Sequence, residues 1–403
     1  MMKFIHKGGT AFIKEKNKRN ILHCIKGDGP LSRTEIAERL QLSKPTVSAI
    51  VEELLNEKWI KESGIGVSKS LGGRKPIQLV FNCRAAYVIG VDIGGTKVRI
   101  GISDLDGNLL DVDEFSTQNH IHSSFLHAIK ERVEMLLEKQ GMMNGEILGM
   151  GIGAPGMTDV DRGIVIDAPS LGWSNYPLKK EAEALFPWPV LVDNDVNVAA
   201  IGEQWLGAAK GLSNVVLIAI GTGVGCGIII NGQLYRGATW AAGEIGYMVT
   251  DAAKAKGANL STPHEGYGFL ERFTGGPGIV QSMQHELKGR PADHSFPRDF
   301  TARDVFQKAR QGDPDALQVI NEVIDHIGFA VANVISIINP EIVLLGGGIS
   351  KSADWFMPRI QNIIQDFASV SAPVKTTAFG EDLGVVGAVS LVLRETESVL
   401  KEM

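Results

Sequence analysis

Two stretches of this chain share one plan, 127 residues apart. VIGVDIGGTKVRIGISDLDGNLL (88–110) and VVLIAIGTGVGCGIIINGQLY (215–235) each begin as a buried strand and pass a glycine-rich turn. A second strand containing a glycine follows, then an Asp-Gly or Asn-Gly hairpin turn. Ile93 aligns with Ile220, Gly101 with Gly227 and Gly107 with Gly232, so only single-residue slips separate the copies. From residue 86 onward strands alternate with long helices, the pattern of an α/β architecture. The repeat therefore predicts two α/β lobes, each opening with a glycine-turned hairpin and facing the other across a cleft.

Two such turns on opposite sides of a cleft suit successive phosphates of one nucleotide, held by backbone N–H groups. The candidates are Gly94, Gly95, Gly221 and Gly223, with hydroxyls from Thr96 and Thr222 and with Asp92 placed to position Mg2+. A third glycine-rich turn, in EIVLLGGGIS, puts Gly346 and Gly347 at a strand end where an adenosine could lie against the backbone. ATP and Mg2+ are thus the expected cofactors of the body. Between the hairpins, VLVDNDVNVAAIGEQWLG ends a strand at Asn194 and Asp195 and starts a helix. A carboxylate there could take the proton of a sugar hydroxyl attacking a γ-phosphate. Asp195 also reads as a helix cap, and the two roles are compatible. Glu244 follows at a glycine-bounded turn and Glu271 at a helix start, where carboxylates grip sugar hydroxyls; taken alone, Glu271 reads as a solvated helix residue.

The first eighty residues have a different character. They carry 15 Lys and Arg against 8 Asp and Glu, a net +7, and since the whole chain is −6 the remainder carries −13. A basic head on an acidic body points to nucleic acid for the head alone. NILHCIK (20–26) has helical periodicity, LSRTEIAERL opens with a Ser32–Glu35 capping box, and SKPTVSAIVEELLNEKW has Ser43 as N-cap and Pro45 in its first turn. These make a helix-turn-helix whose second helix presents Lys44, Thr46 and Ser48 to DNA. WIKESGIGVSKSLGGRKPIQLVFN then supplies two strands and a wing, with Gly72, Gly73, Arg74 and Lys75 suited to phosphates or a minor groove. DNA binding itself calls for no cofactor.

At 403 residues several domains are expected: a winged helix-turn-helix at 1–82, one lobe at 83–205 and a second at 206–403. No apolar run reaches the roughly 18 residues that span a bilayer, and no signal-like apolar segment opens the chain. A cytoplasmic protein without a membrane partner is the expectation. Cys24, Cys83 and Cys226 are too few and too scattered for a disulfide framework or a metal pair.

Together DIGGTK (92–97), GIGAPG (151–156), NDVN (194–197), IGTGVGCGIIINGQLYRG (220–237), GEIG (243–246) and LGGGIS (345–350) resemble the ROK family of repressors, open reading frames and sugar kinases, over nearly the whole chain. The resemblance implies the two-lobed actin-like ATPase fold. It implies sugar contacts from Asn194, Asp195, Glu244 and Glu271, with Asp195 as the base of any kinase reaction, and a nucleotide cleft lined by the glycines and threonines above. Kinases of the family usually lack a helix-turn-helix, whereas its sugar-responsive repressors, those of the xylose and N-acetylglucosamine type, have one. The implied function is repression of carbohydrate genes, by a homodimer or higher homo-oligomer that binds operator DNA and a sugar or sugar-phosphate effector. The alternative is an ATP-dependent, glucokinase-like sugar kinase, alone or combined with DNA binding. One departure stands out. The family usually follows GEIGH with a CxCGxxGCxE zinc motif, but here Tyr247 takes the His position, entering the implied sugar pocket with a larger phenol in place of an imidazole, and 248–271 contains no cysteine. His264 alone makes no zinc site, so no zinc is expected and the loop at 250–264 must be held by other means.

Overall fold

The computed structural model describes residues 10–65, 76–117, 125–257, 268–288, 296–297 and 299–402. The wing residues Gly72, Gly73, Arg74 and Lys75, and His264, lie outside the described residues.

The head comprises α1 (Thr10–Asp28), β1 (Leu31–Ser32), α2 (Arg33–Leu40), α3 (Lys44–Asn56), β2 (Ile60–Ile65) and β3 (Ile77–Phe81), with a sheet in the order β1-β3-β2. Both caps form as the sequence implies. Ser32 N–H donates to Glu35 Oε2 at 2.8 Å while Glu35 N–H donates back to Ser32 Oγ, and Ser43 Oγ accepts from Thr46 N–H. The first helix starts earlier than its apolar periodicity suggests. Its basic first half lies along α3, where Lys14 pairs with Glu53 at 2.8 Å and Lys18 with Glu57, just past the helix end, at 2.6 Å. Ile21, Ile25, Ile36, Val47, Ile50, Val51, Leu54 and Leu79 close the core of the head.

The body follows with β4 (Tyr87–Ile93), β5 (Lys97–Asp104), β6 (Leu109–Ser116), α4 (Phe125–Gln140), β7 (Ile147–Ala154), β8 (Met157–Asp159), β9 (Ile164–Ala168), β10 (Trp173–Tyr176), α5 (Leu178–Leu185), β11 (Val190–Asn194) and α6 (Asp195–Trp205). Next come β12 (Val215–Ile220), β13 (Val224–Ile230), β14 (Gln233–Leu234), α7 (Ala252–Gly257), α8 (Phe269–Thr274), α9 (Gly276–Glu286), α10 (Ala302–Arg310) and α11 (Pro314–Ile338). The chain ends with β15 (Ile342–Gly346), α12 (Ala353–Phe367), β16 (Val374–Thr376) and α13 (Leu383–Glu402).

The repeat seen in the sequence is a repeat of topology. One five-stranded sheet runs β11-β7-β4-β5-β6 and the other β16-β15-β12-β13-β14. In each the glycine-turned hairpin is antiparallel and the next two strands join it in parallel. The hairpin glycines Gly107 and Gly232 have φ of 82° and 78°, a conformation that selects glycine. The aligned strand glycines have a packing reason. A Cβ on Gly101 would lie 2.7 Å from a Val385 methyl of α13, and one on Gly227 would lie 2.6 Å from the Ala200 methyl of α6. Each sheet thus receives a helix at close range, and the helices are exchanged. Helix α6 leaves the last strand of the first sheet and packs on β12 and β13, while α13 leaves the second sheet and packs on β4 and β7. The two cross at Gly202 and Gly387.

By length and composition α11 could cross a membrane, but Val319, Ile320, Val323, Ile324, Ile327, Val331 and Ile335 are buried in the core of the second lobe. The head rests on the body through Trp59 and Phe81, which pack against Ala86, Val88, Leu105, Val389, Val392 and Leu393. Half of that platform belongs to α13.

Candidate functional site

The three glycine turns meet where the two sheets face each other. Gly94 N–H donates to Lys97 O at 2.9 Å, and Thr117 Oγ1 fixes Gly94 O at 2.7 Å. On the other side Gly221 N–H donates to Gly223 O, and Gly276 N–H donates to Gly221 O. A Cβ on Gly95 would lie 3.9 Å from the Thr222 methyl, so the turns carrying Thr96 and Thr222 oppose one another. Gly347, at φ 78°, passes so close to Ile220 O that a Cβ would sit 2.3 Å from it, and Gly346 lies against Thr377. Asp92, next to the last residue of β4, has its carboxylate against the bare Cα of Gly384, where a Cβ would come within 2.2 Å. Burial raises Asp92 to about 6, and only Arg99 and Lys97 oppose the shift.

The acidic pair at the end of β11 is sorted by its hydrogen bonds. Asn194, and not Asp195, caps α6: its Oδ1 accepts from Val196 and Asn197 N–H at 2.9 and 3.0 Å. Asn194 Nδ2 bonds Gly156 O and Asp195 Oδ1, both at 3.0 Å. Asp195 lies in the first helical turn, and its Oδ1 also accepts from Val196 N–H at 2.8 Å. Burial raises it to about 7, helped by the nearby carboxylates of Asp92 and Glu244 and opposed by the Val196 N–H. That value suits a proton acceptor at neutral pH.

Behind this pair lies a contact that periodicity did not reveal. Asp193 is 1% exposed, and Arg236, from the segment after β14, places Nε at 3.0 Å and Nη2 at 2.6 Å from its Oδ2. Asp193 Oδ1 accepts from Asn194 N–H and Asn197 Nδ2. A residue of the second sheet's segment thereby neutralises the strand end of the first.

Glu271 is not a solvated helix residue. Its Oε2 accepts from Val224 N–H at 2.7 Å and lies close against Gly223 and Gly246. Glu244 is held above the ordinary carboxylate range by burial, then by Glu271 and Asp167. Tyr247 is 61% exposed, and its phenol is raised by burial and by Glu244, Glu271 and Asp167. The structure thus groups Asn194, Asp195, Glu244, Tyr247 and Glu271 beside the glycine turns, and adds Asp167 from β9. The signal for Asp167 was weak: one acidic residue closing an alternating strand, IVIDA.

On the head, Lys44 and Ser48 are exposed at the start of α3, while the Thr46 hydroxyl is partly engaged, 2.7 Å from Ser43 Oγ. Lys14, Lys18, Arg33 and Arg39 are committed to carboxylates within the head. Among the described residues no group of three or more His, Cys, Asp or Glu is arranged to hold a metal.

Comparison with known proteins places this geometry. The ROK family matches residues 88–395, and a winged helix-turn-helix DNA-binding family matches 14–61. The chain belongs to the ROK family. Among its curated relatives, the xylose repressor of Bacillus subtilis is 30% identical, covering 95% of this chain and 96% of that one. A glucokinase of Halalkalibacterium halodurans is 32% identical over 78% of this chain and 97% of its own length. Among solved structures, a ROK family transcriptional regulator homologous to the Escherichia coli MLC protein superposes with a TM-score of 0.77, over 96% of this chain and 99% of that one. At 23% identity it shows the shared fold. A ROK family glucokinase from Streptomyces griseus, solved with glucose and AMPPNP, gives a TM-score of 0.66 at 30% identity, over 76% of this chain and 99% of its own.

Proposed function

We propose that this ROK protein is a sugar-responsive transcriptional repressor of carbohydrate-metabolism genes, acting in the cytoplasm as a homodimer on a palindromic operator. One observation carries the reading. The helix whose first turn meets Asp92 in the cleft, α13, is the helix on which Trp59 and Phe81 of the DNA-binding head rest. A ligand that changes how the lobes close around Asp92 and Asp195 moves that helix, and with it the spacing of two reading heads in a dimer.

The effector in this reading is an uncharged sugar. Asp92, Asp167, Asp195, Glu244 and Glu271 face the pocket, and the cations near them are already held: Arg236 by Asp193, Arg99 by Glu114 and Asp382, and Lys97 by Glu114 and Glu381. Hydroxyls donate to such carboxylates, whereas a phosphate beside Asp195 meets like charge at short range. Asn194 and Asp195 would hold the reacting end of the sugar, and Glu244, Tyr247 and Glu271 the ring hydroxyls.

A second reading is supported by Asp195, which is not the N-cap of its helix and is held at about 7: phosphorylation of the bound sugar. The residues present fit a nucleotide, since a Cβ on Gly221 or Gly348 would meet nothing within 4 Å and these backbones face open space. ATP would be held by Gly94, Gly95, Thr96, Gly221, Thr222, Gly223, Gly346 and Gly347, with Asp92 toward Mg2+, and would supply a transferable phosphoryl group. Asp195 would accept the sugar's hydroxyl proton.

A thermal-shift screen of pentoses, hexoses, N-acetylhexosamines and their phosphates, with and without ATP and Mg2+, tests both readings. The repressor reading expects one free sugar to stabilise the chain and to change operator affinity in a mobility-shift assay. Sugar turnover that Asp195→Ala abolishes, with operator binding indifferent to sugar, would replace it by the kinase reading.

A further inference from the structure

The second lobe contributes to the pocket from two separate pieces of chain. Glu244 and Tyr247 lie between β14 and α7, and Glu271 lies in α8. Neither piece is self-sufficient: α8 has six residues, and the first piece has a single 3-10 turn at Ile245–Tyr247. Elements this short gain little from their own hydrogen bonds, so tertiary contacts must set the spacing of the two carboxylates.

Some of those contacts join the pieces directly, as where Glu271 lies against Gly246, and others run through one buried side chain. His326, on α11, is 4% exposed. Its Nδ1 lies 2.7 Å from Thr250 Oγ1, on the piece that carries Glu244. Its ring stacks on Phe273 of α8 with centroids 4.5 Å apart and planes at 24°, and meets Phe269 edge-on at 6.2 Å. Phe269 and Phe273 bracket Glu271 by two residues on either side. The support is stiff, because α11 runs for 25 residues with its apolar face in the core. Lys254 of α7 closes the cluster by pairing with Glu322, one turn before His326, and by lying 5.0 Å from the Phe273 ring centroid. Burial and the Lys254 charge hold His326 below its ordinary pKa, so the imidazole is neutral. Thr250 then shares a proton with Nδ1 in whichever direction the tautomer allows.

We propose that His326 is a positioning residue for the effector pocket: one imidazole fixes the Glu244 segment through Thr250 and the Glu271 helix through Phe273. This anchors the start of the cysteine-free stretch after Tyr247, at Thr250. The proposal rests on the reading of the cleft as an effector site.

The test is amide hydrogen exchange on the full chain without ligand, followed by sugar titration, for His326→Ala, His326→Phe and His326→Asn. Loss of both contacts in His326→Ala is expected to raise exchange about 10-fold in peptides covering 244–250 and 269–275. His326→Phe keeps a ring against Phe273 and restores protection in 269–275 alone. His326→Asn keeps a polar group near the Nδ1 position and restores 244–250 alone. Sugar affinity falls about 3- to 10-fold in the Phe and Asn variants, the scale of one lost contact, with sugar-free operator affinity unchanged. Wild-type protection in both segments of His326→Ala would overturn the proposal. So would Phe and Asn variants that behave alike, or equal loosening of the 87–104 hairpin. If no sugar binds the wild type, the effector reading fails, and the exchange pattern still decides the role of His326.

Discussion

Removing the guanidinium of Arg236 tests how the lobes are joined at the site. A surface ion pair contributes only about 0–1 kcal/mol. Here one partner, Asp193, is wholly enclosed, and Arg236 is 29% exposed. Breaking a buried pair from one side costs about 3–5 kcal/mol, because the remaining charge has no compensation. Asp193 keeps the Asn194 and Asn197 donors, and solvent already screens part of Arg236, so Arg236→Ala falls at the low end, about 3 kcal/mol. Unfolding entropy of about 2.1 cal/mol/K per residue, over the roughly 300 residues of the body, gives about 0.65 kcal/mol per degree. The body should therefore melt about 5 °C lower. Asp193→Asn removes the charge that would be stranded, so in that background Arg236→Ala should cost only about 1 °C more. Scanning calorimetry of the four proteins without ligand makes the comparison. Equal shifts in the two backgrounds, or a shift under 1 °C in the wild type, would refute the reasoning.

Other consequences are as direct. Asp195 at about 7 and Asp92 at about 6 lie above their ordinary 3.8, so the folded chain binds protons that the unfolded chain releases. The stability they contribute is full below about pH 4 and is lost as pH rises through 6 and 7. Melting curves should show this decline, and Asp195→Asn should flatten it. Trp59→Ala loosens the head from α13, so operator affinity should persist while its response to sugar collapses in a mobility-shift titration. Gly384→Ala places a methyl 2.2 Å from the Asp92 carboxylate, and should weaken ligand binding at least about 10-fold by calorimetry while the head still binds DNA. Lys44→Ala and Arg74→Ala should each reduce the slope of log affinity against log salt by about 1, if each cation meets a phosphate.

Beyond the repeat, what could be read in the chain was local. Ser32, Glu35, Ser43 and Pro45 announce their caps because a cap is satisfied within three residues. The turns at Gly107 and Gly232 announce themselves because each needs a positive φ. Asp193, Arg236, Thr250 and His326 gave no comparable signal, since Arg236 is 43 residues from Asp193 and His326 is 76 from Thr250. A polar residue at an inward position demands a partner, yet local pattern does not say which one the topology will deliver. Asp193 could have been suspected, as a charge inside the strand VLVDN. The cap fell to Asn194 and not to Asp195 because either side chain can cap, and only the geometry around Val196 and Asn197 decides.

The repeat held more than its glycine turns. If the plan recurs, what happens after the last strand of one sheet must happen after the last strand of the other. VLVDN is followed by α6, which crosses to cover β12 and β13; the helix after Val374–Thr376 must then cross back to cover β4 and β7, as α13 does. That return is demanded by the glycines it packs on: a Cβ on Gly151 would lie 1.9 Å from Ala388 O, and one on Gly90 would lie 2.5 Å from Val385 O. In the proposed repressor, coupling between cleft and DNA head needs no added device. A two-lobed body closed by exchanged helices ends in a helix that begins at Asp92, and a head seated where that helix continues shares its position.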